Sequence, residues 1–256
     1  MDATRISDGK PVMLKMLPEE EGPYELEINK LFSTEPLSSN PRNHCVHLLD
    51  VIELPNDPPI LVHPLLRPFY DPSLETYGEF VTFFAQICEV SFICSHYETA
   101  FSNWPGRPIY AREQRRSPVC PSFAHFTLFI RPTTRDCTSE NLMLDPSNMY
   151  PESFHPVKID RSRDFLRKAT WYTRTRRPTK YLLIDFGLSR RYDPANGPPL
   201  DKPYRGGDKS APEHQDMTKR CNPFPTDVYY LGNLIREYFM QVQGFLLSSK
   251  SHHADR

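Results

Sequence analysis

Glycine is scarce in this chain, 10 residues against 27 prolines in 256. No G-x-G-x-x-G occurs, which excludes a glycine-rich phosphate loop of that form. The proline excess implies fixed turns and long extended connections. The six cysteines include no C-x-x-C pair and the nine histidines no zinc spacing, so neither a zinc site nor a disulfide framework is expected. No apolar run reaches the ~18 residues that cross a bilayer, and the opening "MDATRISDGK" carries no apolar signal segment. A net charge of −1 gives no general pull toward nucleic acid. The expectation is a soluble intracellular protein, cytoplasmic or nuclear, with reduced thiols, no nucleic-acid partner and no membrane partner.

What is present reads as a mixed α+β chain. In "ATRISDGKPVMLKML" an Asp8-Gly9 turn between apolar alternations predicts a hairpin, with Lys15 late on its second strand. "PYELEINKLFS" predicts a short amphipathic helix, with Leu26, Leu31 and Phe32 at helical spacing, an acidic start at residues 19–21, and Glu25 and Glu27 aboard. "HCVHLLDVIEL" and "PILVHPLL" predict two further strands across the breaker "PNDPP". Phe80, Phe84, Ile87, Ser91 and Cys94 then mark one long helix over residues 77–96 with a buried face. Residues 97–132 hold no period. "LMLD" and "KYLLIDFG" predict short strands on either side of a connection over residues 146–179, whose basic cluster reads as a solvated face. A last helix begins with Thr226 as its cap and carries Leu231, Leu234, Ile235, Tyr238 and Phe239 along one side.

Two stretches carry chemistry, "TTRDCTSENLMLD" and "YLLIDFGLSRRY". Phosphoryl transfer asks a protein to hold triphosphate and metal, neutralise developing charge and orient a hydroxyl. Asp136 suits the hydroxyl, Asn141 and Asp185 a metal ion, and Lys15 the phosphates if a helix carboxylate holds it. Glu27 is the chosen partner, with Glu25 a rival in the same helix. The plainer alternatives are turn residues at Asp136, Asn141 and Asp185, and surface charges at Lys15 and Glu27. Thr138 and Ser139 read as loop hydroxyls, since no histidine lies nearby to activate them.

In this order the segments resemble the eukaryotic protein kinases. "VMLK" resembles the V-A-I-K strand, "ELEINKL" the regulatory helix, "TRDCTSENLMLD" the catalytic loop, "IDFGLS" the D-F-G segment, "SAPEHQ" the A-P-E segment and "TDVYYLG" the helix anchoring the large lobe. "GGDKSAPEH" and the long connection before D-F-G are similar to a subgroup of kinase-like proteins in fungi. The resemblance implies a single two-lobed domain over residues 1–256, incomplete at both ends. A small β-rich lobe would span residues 1–67, and a partial, truncated helical lobe residues 68–256. It implies ATP and Mg2+ as cofactors and transfer of the γ-phosphate to serine or threonine of a protein substrate. Asp136, Lys15 and Glu27 would be catalytic; Lys15, Asn141 and Asp185 would bind nucleotide, the last two through the metal. Asp227 would fix the catalytic loop through backbone hydrogen bonds.

Departures from the pattern bear on activity. Only fourteen residues precede Lys15, which implies that the first strand and phosphate lid are missing. Thr134 stands in place of the family's histidine and Thr138 in place of its lysine. Losing one preorganised charge costs about 3–4 kcal/mol, roughly a hundred- to a thousandfold in rate. Residues 97–133 separate segments that adjoin in the family and read as an insertion. A catalytically weak or inactive pseudokinase acting as a scaffold is therefore the alternative.

Overall fold

The computed structural model describes residues 1–17, 24–95, 131–192, 197, 199–204 and 206–240. Strands β1 (Asp2–Thr4) and β2 (Pro11–Met16) form the expected hairpin, pairing Asp2 with Met13 and Thr4 with Pro11. Its turn needs Gly9, whose φ of 69° lies in the left-handed region. After helix α1 (Glu25–Phe32) come β3 (Asp50–Ile52) and β4 (Ile60–Pro64), completing a four-stranded sheet in the order β1-β2-β4-β3. Lys15 lies opposite Leu61 within it. The acidic start at residues 19–21 lies outside the described residues.

The expected strand over "HCVHLLDVIEL" is shorter, because its first half pairs elsewhere. Cys45 makes a parallel bridge with Leu183; Val46 N–H donates to Leu183 O (2.9 Å) and Leu183 N–H to His44 O (2.7 Å). Asn43 sets this segment against the end of α1, donating to Phe32 O (2.8 Å) and Leu37 O (2.9 Å) and accepting from Cys45 N–H (3.0 Å). One hydrogen-bonded frame thus holds α1 and the strand at Leu183.

That strand belongs to a second sheet. Following β5 (Arg67–Pro68), helix α2 (Tyr77–Ser95) and β6 (Arg131–Thr133), strands β7 (Leu142–Leu144) and β8 (Tyr181–Leu183) pair in the order β5-β7-β8. β6 pairs separately with β9 (Arg190–Tyr192). Of the stretch expected as an insertion, residues 131–133 are the paired strand β6, and residues 97–130 lie outside the described residues.

Among the described residues of α2 the buried apolar ones are Phe83 and Ile87, both fully enclosed, while Phe84 is 40% exposed. Phe83 stacks on Phe69 (5.2 Å) and meets the edge of Tyr181 (4.8 Å). Burying such a ring contributes about 1.5–3 kcal/mol. Helix α3 (Phe224–Ile235) follows Pro223 as N-cap, with Thr226 inside the first turn rather than capping it. Tyr230, Leu231 and Leu234 are its buried apolar residues. One core runs from Ile28 and Phe32 on α1 through Leu142, Leu144 and Leu183 to Leu231 and Leu234 on α3.

The connection over residues 146–179 is packed rather than merely solvated. Met149, Tyr150 and Phe154 enter the core, and the Arg67 guanidinium lies over the Tyr150 and Phe154 rings at 4.5 and 4.7 Å. Within the basic cluster Arg174 is buried and donates to Phe69 O (2.7 Å). Among the described residues no helix is long and apolar enough to cross a membrane.

Candidate functional site

Lys15 is the meeting point of the two sheets. Its Nζ donates to Glu25 Oε1 at 2.6 Å and to Asp185 Oδ1 at 2.8 Å. The helix partner is thus Glu25, which corrects the expectation of Glu27. The eight-residue helix buries Glu25, Ile28, Asn29 and Phe32, positions i, i+3, i+4 and i+7 of one face. Glu27 falls about 200° around from Glu25 and is exposed.

The three charges sit in unlike surroundings: the Glu25 side chain is 4% exposed, Lys15 33% and Asp185 46%. Burial opposes the lysine charge, but the hydrogen bonds it donates to Asp185 and Glu25, with their charges, outweigh it and raise Lys15 above the ordinary value. Burial also dominates at Glu25 and pushes its carboxyl up despite Lys15. At Asp185 the Lys15 hydrogen bond and charge overcome burial, and the carboxyl lies below its usual range. Asp185 follows β8 with φ 60°, a left-handed conformation that aspartate tolerates, and accepts from Gly187 N–H at 3.0 Å.

Asp136 and Asn141 lie in the loop just before β7. Asn141 Nδ2 donates to Asp136 Oδ2 (2.7 Å) and to Asp136 O (3.0 Å), and Ile184 N–H donates to Asn141 O (2.9 Å). This last bond ties the loop to the residue before Asp185. Burial raises the Asp136 carboxyl, and the charges of Asp185 and Glu140 add to the rise, while the hydrogen bonds from Gly207 and Asn141 pull it down. The structure therefore brings Lys15, Asp185, Asp136 and Asn141 into one electrostatically coupled group, with Glu25 in the position meant for Glu27.

A partner that sequence reasoning missed is the glycine pair. Gly207 N–H donates to Asp136 Oδ1 at 2.8 Å. A Cβ on Gly206 would stand 2.3 Å from that oxygen, so only glycine lets the backbone approach so closely. Thr138 is buried with an unpartnered hydroxyl, which a Cβ on Gly207 would approach to 3.2 Å. The paired glycines before "SAPE" were the available signal.

Behind the loop, Asp227 on α3 is 4% exposed and accepts three hydrogen bonds. They come from Thr134 N–H (3.0 Å), Thr134 Oγ1 (2.8 Å) and Arg135 N–H (2.8 Å). Thr134 thus adds a hydroxyl donor to a buried carboxylate. Burial nevertheless pushes Asp227 up to about 6. Arg135, at φ 59°, reaches outward to Asp201 Oδ2 (3.0 Å) and Lys202 O (2.7 Å).

No protein-family model and no curated protein sequence matches the chain. Among solved structures, one likeness is to a crystallised kinase domain, at a TM-score of 0.39 and 15% sequence identity over 74% of this chain. The chain spans 46% of the length of that domain.

Proposed function

We propose that the chain is a protein-kinase-like phosphotransferase that moves the γ-phosphoryl group of ATP to a serine or threonine hydroxyl of a protein. The observation that carries this reading is the Lys15 ammonium held at once by Glu25 and Asp185, beside an Asp136 and Asn141 pair. Lys15 spends two of its three N–H donors on carboxylates and keeps one for a phosphate oxygen. The donor set suits Mg2+, which binds through one or two carboxylates completed by phosphate and water rather than in an all-protein cage. Asp185 and the Asn141 amide oxygen would hold it. When bound, the ion supplies neutralisation of the phosphate charge.

In this reading Asp136 accepts the hydrogen bond of the substrate hydroxyl. It takes the proton as the new oxygen–phosphorus bond forms and the bond to the departing ADP oxygen breaks. Its raised carboxyl is a stronger base than an ordinary aspartate. Glu25 orients Lys15 without touching substrate. Transfer of radiolabelled γ-phosphate to a generic protein substrate tests the assignment. Wild type is expected to label the substrate in a Mg2+-dependent way, and Asp136→Asn to lose roughly a hundredfold or more.

One observation favours a non-catalytic scaffold that retains nucleotide binding: the Gly207 amide occupies Asp136 Oδ1, where a hydroxyl would approach. Equal labelling by wild type and Asp136→Asn, with a Mg-ATP-dependent thermal shift in both, would select that reading.

A further inference from the structure

Midway along the connection between β7 and β8, residues 162–167 form a tight turn that the candidate site does not use. Ser162 N–H donates to Arg167 O (2.8 Å), Arg167 N–H to Ser162 Oγ (3.0 Å) and Leu166 N–H to Asp164 Oδ1 (3.1 Å). At its apex Phe165 adopts φ 66°, a left-handed conformation that costs a bulky residue on the order of 1–3 kcal/mol. The consequence is outward display: Phe165 is 52% and Leu166 83% exposed, with Val157 at 70% in the same connection.

Arg163 fastens this turn to the β1–β2 hairpin. Its Nη1 donates to Gly9 O (2.9 Å) and its Nη2 to Thr4 Oγ1 (2.8 Å). The hairpin turn contributes Ile6, which is 100% exposed. A single exposed aliphatic residue needs no explanation, but large apolar side chains gathered on two joined loops mark a contact surface.

Their surroundings are strongly basic. Residues 155–180 hold nine lysines and arginines against two aspartates, in a chain whose net charge is −1. Lys158 and Lys168 are exposed around the turn; Arg167 is exposed too but pairs with Glu152, and Lys10 on the hairpin, its side chain 73% exposed, lies 4.0 Å from Asp8. Apolar loop tips on a segment with excess positive charge are complementary to an interface whose surface is anionic and whose interior is hydrocarbon. Three of the four apolar residues are aliphatic, so they offer no stacking platform for nucleic-acid bases. Ile6 and Leu166 are 100% and 83% exposed, which favours insertion over enclosure by a pocketed protein partner.

We propose that this pole is a docking surface for an anionic lipid bilayer, with Ile6, Phe165 and Leu166 entering the headgroup boundary and the surrounding lysines and arginines contacting acidic headgroups. It is a peripheral contact and requires no spanning helix. It rests on none of the residues around Asp136 and stands independently of phosphotransfer.

Flotation of the full chain with vesicles tests it. The chain should float with phosphatidylcholine vesicles containing about one third phosphatidylserine and stay behind with phosphatidylcholine alone. Ionic strength of about 1 M, where the screening length falls to about 3 Å, should release it. The double change Ile6→Ser with Leu166→Ser should weaken binding about tenfold or more. Lys158→Gln and Lys168→Gln should each weaken it about fivefold. All four side chains are exposed, and an unchanged circular dichroism spectrum establishes that the variants fold. The proposal falls if wild type ignores the acidic vesicles, or if the double serine variant floats as well as wild type. It also falls if the chain binds single-stranded RNA, indifferent to Ile6 and Leu166, while binding no vesicle.

Discussion

Replacing Glu25 by glutamine, beside Glu27→Gln as its companion, is the sharpest test of how Lys15 is held. The Lys15–Glu25 contact is 2.6 Å long with the carboxylate 4% exposed. Removing one member of a fully buried pair costs about 3–5 kcal/mol. Two features reduce that here. Lys15 keeps Asp185 at 2.8 Å and is itself 33% exposed, and burial already penalises the Glu25 charge, so the neutral amide recovers part of the desolvation. A loss of about 1–2 kcal/mol remains, or a fall in Tm of roughly 2–8 °C for a chain of this size. Glu27→Gln changes an exposed position and should stay within about 0.5 kcal/mol. Titration calorimetry with Mg-ATP should show the same ranking, with Glu25→Gln weakening binding about tenfold and Glu27→Gln leaving it unchanged. Equal effects from the two variants, or a larger effect from Glu27→Gln, would refute the placement of the ion pair.

Two further outcomes follow from the ground beneath the site. Gly206→Ala puts a Cβ 2.3 Å from Asp136 Oδ1 and should cost about 1–3 kcal/mol in urea unfolding; Gly207→Ala, whose nearest contact is 3.2 Å, should cost less, and the reverse order would contradict the close approach. Asp227 is raised from 3.8 to about 6 in the folded chain, so between those values the native state holds more protons than the unfolded chain. Its contribution to stability is full at lower pH, declines as pH rises through that window and levels off above it, by roughly 3 kcal/mol in all. Urea midpoints across that range for wild type and Asp227→Asn should differ by this slope, and parallel curves would count against it.

Local signals in the sequence located the hairpin turn, α1, α2, β7 and β8, because Asp8-Gly9 and helical periodicity act within a few residues. Long-range competition decided what they missed. Residues 44–46 have the composition of strand β3 but pair with β8, a choice visible only when Leu183 is adjacent. On α1 the expected stripe of Leu26, Leu31 and Phe32 omitted Ile28; the buried face is Ile28, Asn29 and Phe32, and it is Glu25, not Glu27, that shares it. Phe84 was preferred to Phe83 for the same reason, since neighbouring aromatics leave the phase of the helix open. Asp136, Asn141 and Asp185 stand together because β7 and β8 are paired neighbours. The glycine pair was legible as a motif but not as a contact, because its partner lies 71 residues earlier in the chain.

The seam between residues 44–46 and Leu183 has a mechanical consequence. Since Asn43 fastens the same segment to the end of α1, Glu25 and Asp185 ride on a rigid linkage, and swinging the helix outward requires unzipping that seam first. Any rocking of the first sheet is then felt at the Lys15 ammonium, which would slide against both carboxylates together instead of exchanging one for the other.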